Sequence, residues 1–150
     1  NIPPQTSTIA SHLPKAVGTA FSIDRAKDLD ISERKLKAES IILCSFGDAS
    51  ANHATALSAF NTASWVSNSG GHVPIIFICE DNGTGISVPT NEHWIEQNFS
   101  NRLGLQYVKT DGLHLIDLMI KSRQVEHDCR INRSPIFLHM KTVRDRKSVV

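Results

Sequence analysis

Phe46-Gly47-Asp48-Ala49-Ser50-Ala51-Asn52 and, downstream, Cys79-Glu80-Asp81-Asn82-Gly83-Thr84-Gly85-Ile86-Ser87 decide the fold of this chain. Each stretch closes a short apolar run, Ile41 to Phe46 in the first case and Val73 to Cys79 in the second. Runs of that length, rich in β-branched and aromatic residues and ended by polar ones, read as buried strands. Between them, Ala49 to Val66 reads as a helix, and its alanines (Ala51, Ala54, Ala56, Ala59, Ala63) suit close packing on a sheet. The unit is strand, helix, strand, with polar residues at both strand ends. In open α/β sheets the carboxyl ends of strands are where ligands bind.

Upstream of this unit, Asn1 to Ser11 is rich in Pro, Ser and Thr and reads as a loop. Ser11 is placed to cap a helix that carries Pro14 in its first turn and a small-residue face from Ala16 to Phe21. Asp24 to Glu39 is dense in charges of both signs and reads as a solvated helix end and connection. Downstream, Ser67 to His72 and Asn82 to Thr90 read as loops, and Glu92 to Asn101 as a short helix. Leu105 to Lys109 forms a third strand, Leu113 to Cys129 a helix and Pro135 to Lys141 a fourth strand. Strands alternating with helices predict an α/β fold of three layers, αβα, with a mainly parallel sheet. Right-handed crossovers would gather the four strand ends on one edge.

A chain of 150 residues is expected to form one domain, here 1–150, large enough to bury a core. Its ends, Asn1 in a loop and Arg144-Asp145-Arg146-Lys147-Ser148-Val149-Val150 straight after a strand, suggest a domain truncated at both ends. A formal net charge of +1, with basic residues interleaved among acids, gives no pull toward nucleic acid or a membrane surface. No apolar run approaches the roughly 18 residues a membrane-spanning helix needs. Cys44, Cys79 and Cys129 form no CxxC pair or zinc pattern, and two lie in strands, so buried inert thiols in a reducing compartment are expected.

The two strand ends carry the chemistry. Gly47 permits a tight turn or the close approach of a ligand. Asp48 offers a hard carboxylate oxygen. The amides of Ala49 and Ser50 open the predicted helix and face any anion there. Asn82 offers an amide oxygen after the next strand, and the Gly83-Thr84-Gly85 loop can turn a backbone carbonyl inward. A carboxylate, neutral oxygens and free amides together suit a magnesium-bound diphosphate. Taken singly, Asp48 also reads as a helix cap and Asn82 as a turn residue, and the residues alone leave both readings open.

These stretches resemble the α part of the thiamine-diphosphate-dependent E1 component of 2-oxo acid dehydrogenases. That family carries a G-D-G-A-A-N motif followed by E-N-N-G-Y-A-I-S-x-P-T. Here the first is Gly47-Asp48-Ala49-Ser50-Ala51-Asn52 and the second Glu80-Asp81-Asn82-Gly83-Thr84-Gly85-Ile86-Ser87-Val88-Pro89-Thr90. Ser11-His12-Leu13-Pro14-Lys15-Ala16-Val17-Gly18, Val108-Lys109-Thr110-Asp111-Gly112 and Pro135-Ile136-Phe137-Leu138 extend the likeness from Thr6 to Arg144. The resemblance implies Mg²⁺ bound by Asp48, Asn82 and the Thr84 carbonyl, and a diphosphate held at Gly47, Ala49 and Ser50. It also sets backbone groups of Ser7 and Ile9 against the aminopyrimidine of thiamine diphosphate. By the same resemblance the enzyme oxidatively decarboxylates pyruvate or a branched-chain 2-oxo acid and passes the acyl group to a lipoyl-bearing E2. It further implies an E1 beta part, separate or fused, that supplies the catalytic acid, and a dimer or heterotetramer in the cytoplasm (the mitochondrial matrix of a eukaryote).

Several positions depart from the pattern. Ala49 replaces the second Gly and brings a methyl group toward the diphosphate. Asp81 replaces the first Asn, and Thr84 replaces Tyr. The Asp48-to-Asn82 segment is longer than usual, with the excess in Ser67 to His72. The family's His-containing loop is missing after Arg144, as is its upstream Tyr-Arg pair, and 145–150 match nothing in the family. Two other readings stand beside this one: a transketolase-like thiamine enzyme, and a remnant without catalysis. Among the histidines, His12 and His53 are the ones expected near the site. His72, His93, His114, His127 and His139 show no partner pattern, and Trp65 and Trp94 are expected to pack.

Overall fold

The computed structural model describes residues 2–4 and 7–144. Its elements are α1 (His12–Asp28), β1 (Ile42–Gly47), a 3-10 turn (Asp48–Asn52), α2 (Ala54–Asn68), β2 (Ile75–Asp81), the short strands β3 (Thr84–Gly85) and β4 (Val88–Pro89), α3 (Trp94–Phe99), β5 (Gln106–Asp111), α4 (Leu115–Asn132) and β6 (Ile136–Lys141). The four long strands form one sheet in the order β1-β2-β6-β5, and every pairing is parallel. This is the expected α/β fold, with all four carboxyl ends on one edge. β3 and β4 form a separate antiparallel pair.

Strand alternation distributes the core into two layers. On β2, Ile75, Phe77 and Cys79 face α1, α2 and α3, whereas Ile76 and Ile78 face α4. On β6, Phe137 joins the first set and Ile136 and Leu138 the second. Helices therefore cover both faces, as the three-layer reading expects. Of the alanines expected to pack, Ala56, Ala59 and Ala63 of α2 are buried and let the helix lie close to the strands, and Ala51 is buried in the 3-10 turn, but Ala54 at the start of α2 is exposed. Phe60 sits at the centre, its ring 5.0 Å from Phe77, 5.1 Å from Phe99 and 5.4 Å from Phe46. Tilted and edge-on contacts of this kind add to the area each ring buries.

At the amino edge of the sheet a polar clamp joins three elements. Arg133 ends α4 in the left-handed conformation (φ 52°). Its guanidinium donates twice to Asp24 of α1, at 2.9 and 3.0 Å, and once to the Ser40 carbonyl that precedes β1, at 3.0 Å.

Four local expectations change. The helix expected from Ala49 does not begin there: a five-residue 3-10 turn intervenes, and α2 starts at Ala54 with the His53 ring accepting the Thr55 amide as its cap. Ser11 holds the cap position of α1 but makes no side-chain cap hydrogen bond. The 82–90 loop contains the β3–β4 hairpin. Trp65 and Trp94 are exposed rather than packed. The tail 145–150 lies outside the described residues.

All three cysteines are free and buried. Burial pushes the Cys44 thiol up to about 12 and Cys129 to about 11, and raises Cys79 as well. The thiolate is the reactive form, so the native protein is expected to resist iodoacetamide near pH 8 and to take three labels once denatured, read by intact mass. Phe60→Ala removes the ring on which four others converge and is expected to cost about 3–5 kcal/mol, read as a lowered denaturant midpoint.

Candidate functional site

Parallel pairing sets Gly47 of β1 opposite Glu80 of β2. Asp48, which follows β1, therefore lies level with Asp81, the last residue of β2, and Asn82 leaves the sheet just beyond it. The chain after β2 folds straight back. Asp81 Oδ1 accepts the Gly83 amide at 3.0 Å, and Asn82 Oδ1 accepts the Thr84 amide at 2.9 Å. Gly83 takes φ 72°, a conformation costly for other residues, which lets these two side-chain turns overlap. The Thr90 amide then donates to the Gly83 carbonyl at 3.0 Å and closes the hairpin.

The hairpin is tied to the first strand end by two contacts. Asp48 is buried, and its Oδ2 accepts the Thr90 hydroxyl at 2.5 Å. Ala49 meets Gly85: a Cβ built on Gly85 would lie 2.8 Å from the Ala49 Cβ. The methyl group that departs from the family motif is thus accommodated by a glycine where the motif quoted above has alanine.

Two cavities open at this edge. One, of about 460 Å³, is lined by Gly47, Asn82 and Thr84 together with Glu80, Thr142 and Arg144. The other, of about 520 Å³, is lined by Asp48, Asn52, Thr90, Trp94 and Ile95. Gly47, Asn82 and Thr84 thus share one cavity, with Asp48 beside it in the next. Ala49 and Ser50 lie in the 3-10 turn and line neither; this turn is too short to supply the dipole of a full helix. Ser7 and Ile9 are exposed and line neither cavity. Their segment is nevertheless held near β1, because the His12 ring Nε2 meets the Ser45 carbonyl at 2.9 Å. His12 and His53, both expected near the site, line neither cavity.

Three further side chains join the site. Thr90 holds Asp48. Ser45 donates its hydroxyl to Glu80 across β1 and β2. His139, read as having no partner, is fully buried with its Nε2 2.7 Å from Asp81 Oδ2 and its Nδ1 2.6 Å from the Tyr107 hydroxyl. Lys141 Nζ also reaches Asp81 Oδ2, at 2.9 Å. Burial alone would raise the Asp81 carboxyl, but hydrogen bonds from His139, Lys141 and the Gly83 amide outweigh it and hold the group below its ordinary value. Burial pushes His139 down against the pull of Asp81. With the imidazole neutral, the carboxylate requires the proton on Nε2, and Nδ1 accepts from Tyr107. A polar residue inside an apolar strand was the available signal for this cluster; its partner lay too far along the chain to be named.

The model of the dehydrogenase E1 component family matches residues 2–147, so that 145–147, expected to match nothing in that family, fall within the match. The chain belongs to that family. It is 27% identical over 142 residues to 2-oxoisovalerate dehydrogenase subunit alpha, mitochondrial, of Mus musculus, covering 93% of the chain and 29% of that protein. The corresponding Caenorhabditis elegans protein is 29% identical over 142 residues, covering 93% and 30%. The pyruvate dehydrogenase E1 component subunit alpha, mitochondrial, of Dictyostelium discoideum is 28% identical over 141 residues, covering 91% and 32%. This E1 chain spans about three-tenths of the length of these relatives.

Membership in the family implies thiamine diphosphate, and of the residues expected at its diphosphate end Gly47 lines a cavity while Ala49 and Ser50 do not. Nothing lies within 4 Å of a Cβ built on Gly47, so the strand end leaves open space beside the cavity. Among the described residues no three His, Cys, Asp or Glu side chains cluster as a metal site. The oxygens at the strand ends are instead a carboxylate, an amide and a backbone carbonyl, the hard donors magnesium takes while keeping phosphate and water ligands.

Two outcomes are expected. Gly85→Ala should destabilise the protein by about 1–3 kcal/mol through overpacking, and Ala49→Gly in the same chain should relieve it, both read by denaturant unfolding. Asp81 and His139 both lie below their ordinary values of 3.8 and 6.5, so the folded chain binds fewer protons than the unfolded one in acid. Stability then falls as pH drops below about 6.5 and again below about 3.8. His139→Gln should flatten the first loss in a pH series of unfolding midpoints; an unchanged slope would remove the attribution to His139.

Proposed function

We propose that this chain is the thiamine-diphosphate- and magnesium-binding segment of an E1 enzyme that oxidatively decarboxylates a 2-oxo acid. The observation that carries the reading is the cavity at the strand edge, where Gly47, Asn82 and Thr84 meet Arg144 in a chain matched by the E1 family along its length. When bound, the cofactor supplies the nucleophilic carbon and the electron sink for decarboxylation; the protein supplies binding, orientation and charge.

In this reading Asp48, Asn82 and the Thr84 carbonyl hold Mg²⁺. Backbone groups at Gly47, Ala49 and Ser50 hold the diphosphate, and those of Ser7 and Ile9 meet the aminopyrimidine. Arg144 adds positive charge to a cavity that must accept an anion. Thr90 keeps the Asp48 carboxylate oriented through its 2.5 Å hydrogen bond. The substrate is a branched-chain 2-oxo acid or pyruvate, the two kinds named among the relatives. The acyl group passes to a lipoyl-bearing E2, and an E1 beta part completes the site and contributes the catalytic acid in a dimer or heterotetramer. The compartment is the mitochondrial matrix in a eukaryotic host and the cytoplasm otherwise.

Asp48→Ala in the whole protein is expected to abolish Mg²⁺-dependent binding of thiamine diphosphate, measured by titration calorimetry, while far-UV circular dichroism stays unchanged. Unaltered affinity in the folded variant would overturn the metal assignment.

A further inference from the structure

The geometry points to Asp81, His139 and Tyr107 as a positioning relay that fixes the Asn82–Thr84 turn, an inference that rests on the magnesium reading of that turn. The three side chains come from three adjacent strands, β2, β6 and β5. The Tyr107 hydroxyl meets His139 Nδ1 at 2.6 Å, and His139 Nε2 meets Asp81 Oδ2 at 2.7 Å. The other oxygen of Asp81 accepts the Gly83 amide at 3.0 Å, inside the turn itself. Side-chain orientation is thereby passed from the far edge of the sheet to the backbone that carries Asn82 and Thr84.

The relay is built at a cost. Asp81 is 4% exposed and His139 fully buried. Apolar side chains would pack β2 against β6 at least as stably as a buried polar pair. What the polar pair adds is direction. A carboxylate gripped on Oδ2 by His139 and Lys141 has its other oxygen aimed at one amide, and Gly83 is held at φ 72°. Asn82 follows directly and aims its own oxygen at the Thr84 amide. Groups that act on metal ligands from behind in this way commonly change metal affinity by about 10–100-fold when removed. Tyr107 is the most informative member, because its ring stacks on Phe137 and a phenylalanine would keep that contact.

The test uses the whole protein that carries this chain and two readouts. Amide hydrogen exchange at Gly83 and Thr84 reports the order of the turn with no metal present. Mn²⁺ uptake in the presence of thiamine diphosphate, followed by electron paramagnetic resonance, reports the ligands. Tyr107→Phe and His139→Ala are expected to speed exchange at both amides and to weaken Mn²⁺ uptake by about tenfold, with Tyr107→Phe folded but lowered in melting temperature because the buried His139 Nδ1 loses its donor. His139→Gln, which keeps a donor for Asp81, is expected to recover most of both. Should His139→Ala not fold, Tyr107→Phe and His139→Gln decide. Folded Tyr107→Phe with both amides exchanging at the parent rate overturns the relay. Failure of the parent protein to take up Mn²⁺ with the cofactor instead overturns the magnesium reading, while the exchange rates still judge the relay.

Discussion

The parallel pairing of β1 with β2 is the constraint on which the rest depends. Its register sets Gly47 beside Glu80, and a parallel pair can be joined only by a crossover long enough to return to the starting edge. The 3-10 turn and α2 supply that crossover. A slip of one residue would turn Asp48 toward the other face and move the alternating apolar set of β1 out of its layer. The same register that buries Cys44 and Phe46 therefore also brings two polar strand ends to one place.

The aromatic cluster around Phe60 stiffens this arrangement from below. Rings from β1, β2, β6 and α3 converge on a single helix, so the strand ends cannot shift independently. At the opposite edge the Arg133–Asp24 clamp does the same work with charge. The carboxyl edge is left to turns, where backbone groups remain available to a ligand.

Much of this was legible in the residues. Ile41 to Phe46 and Val73 to Cys79 announced strands because β-branched and aromatic side chains fit a buried pleat, and the α2 alanines announced close helix–sheet packing. Asp48, Asn82 and their glycines stood out because polar residues gathered where apolar runs stopped. What stayed hidden depended on contacts between distant positions. The 3-10 turn after Gly47 is shaped by the hairpin that holds Asp48 through Thr90. His139 gained a role only when β6 came to lie beside β2. Ser11 matched a cap by residue type, yet the local backbone left its side chain no cap bond.

The contact between Ala49 and Gly85 bears on how such a site can change over generations. The two positions share one small volume, and it admits a single methyl group. From the glycine-then-alanine arrangement of the motif to the one found here, one-step routes pass through either two methyl groups or none. Two methyl groups would collide at 2.8 Å. Two glycines would leave only a small gap and looser backbone, a milder defect. The less costly path therefore runs through the gap, with the alanine lost first and its counterpart gained afterwards.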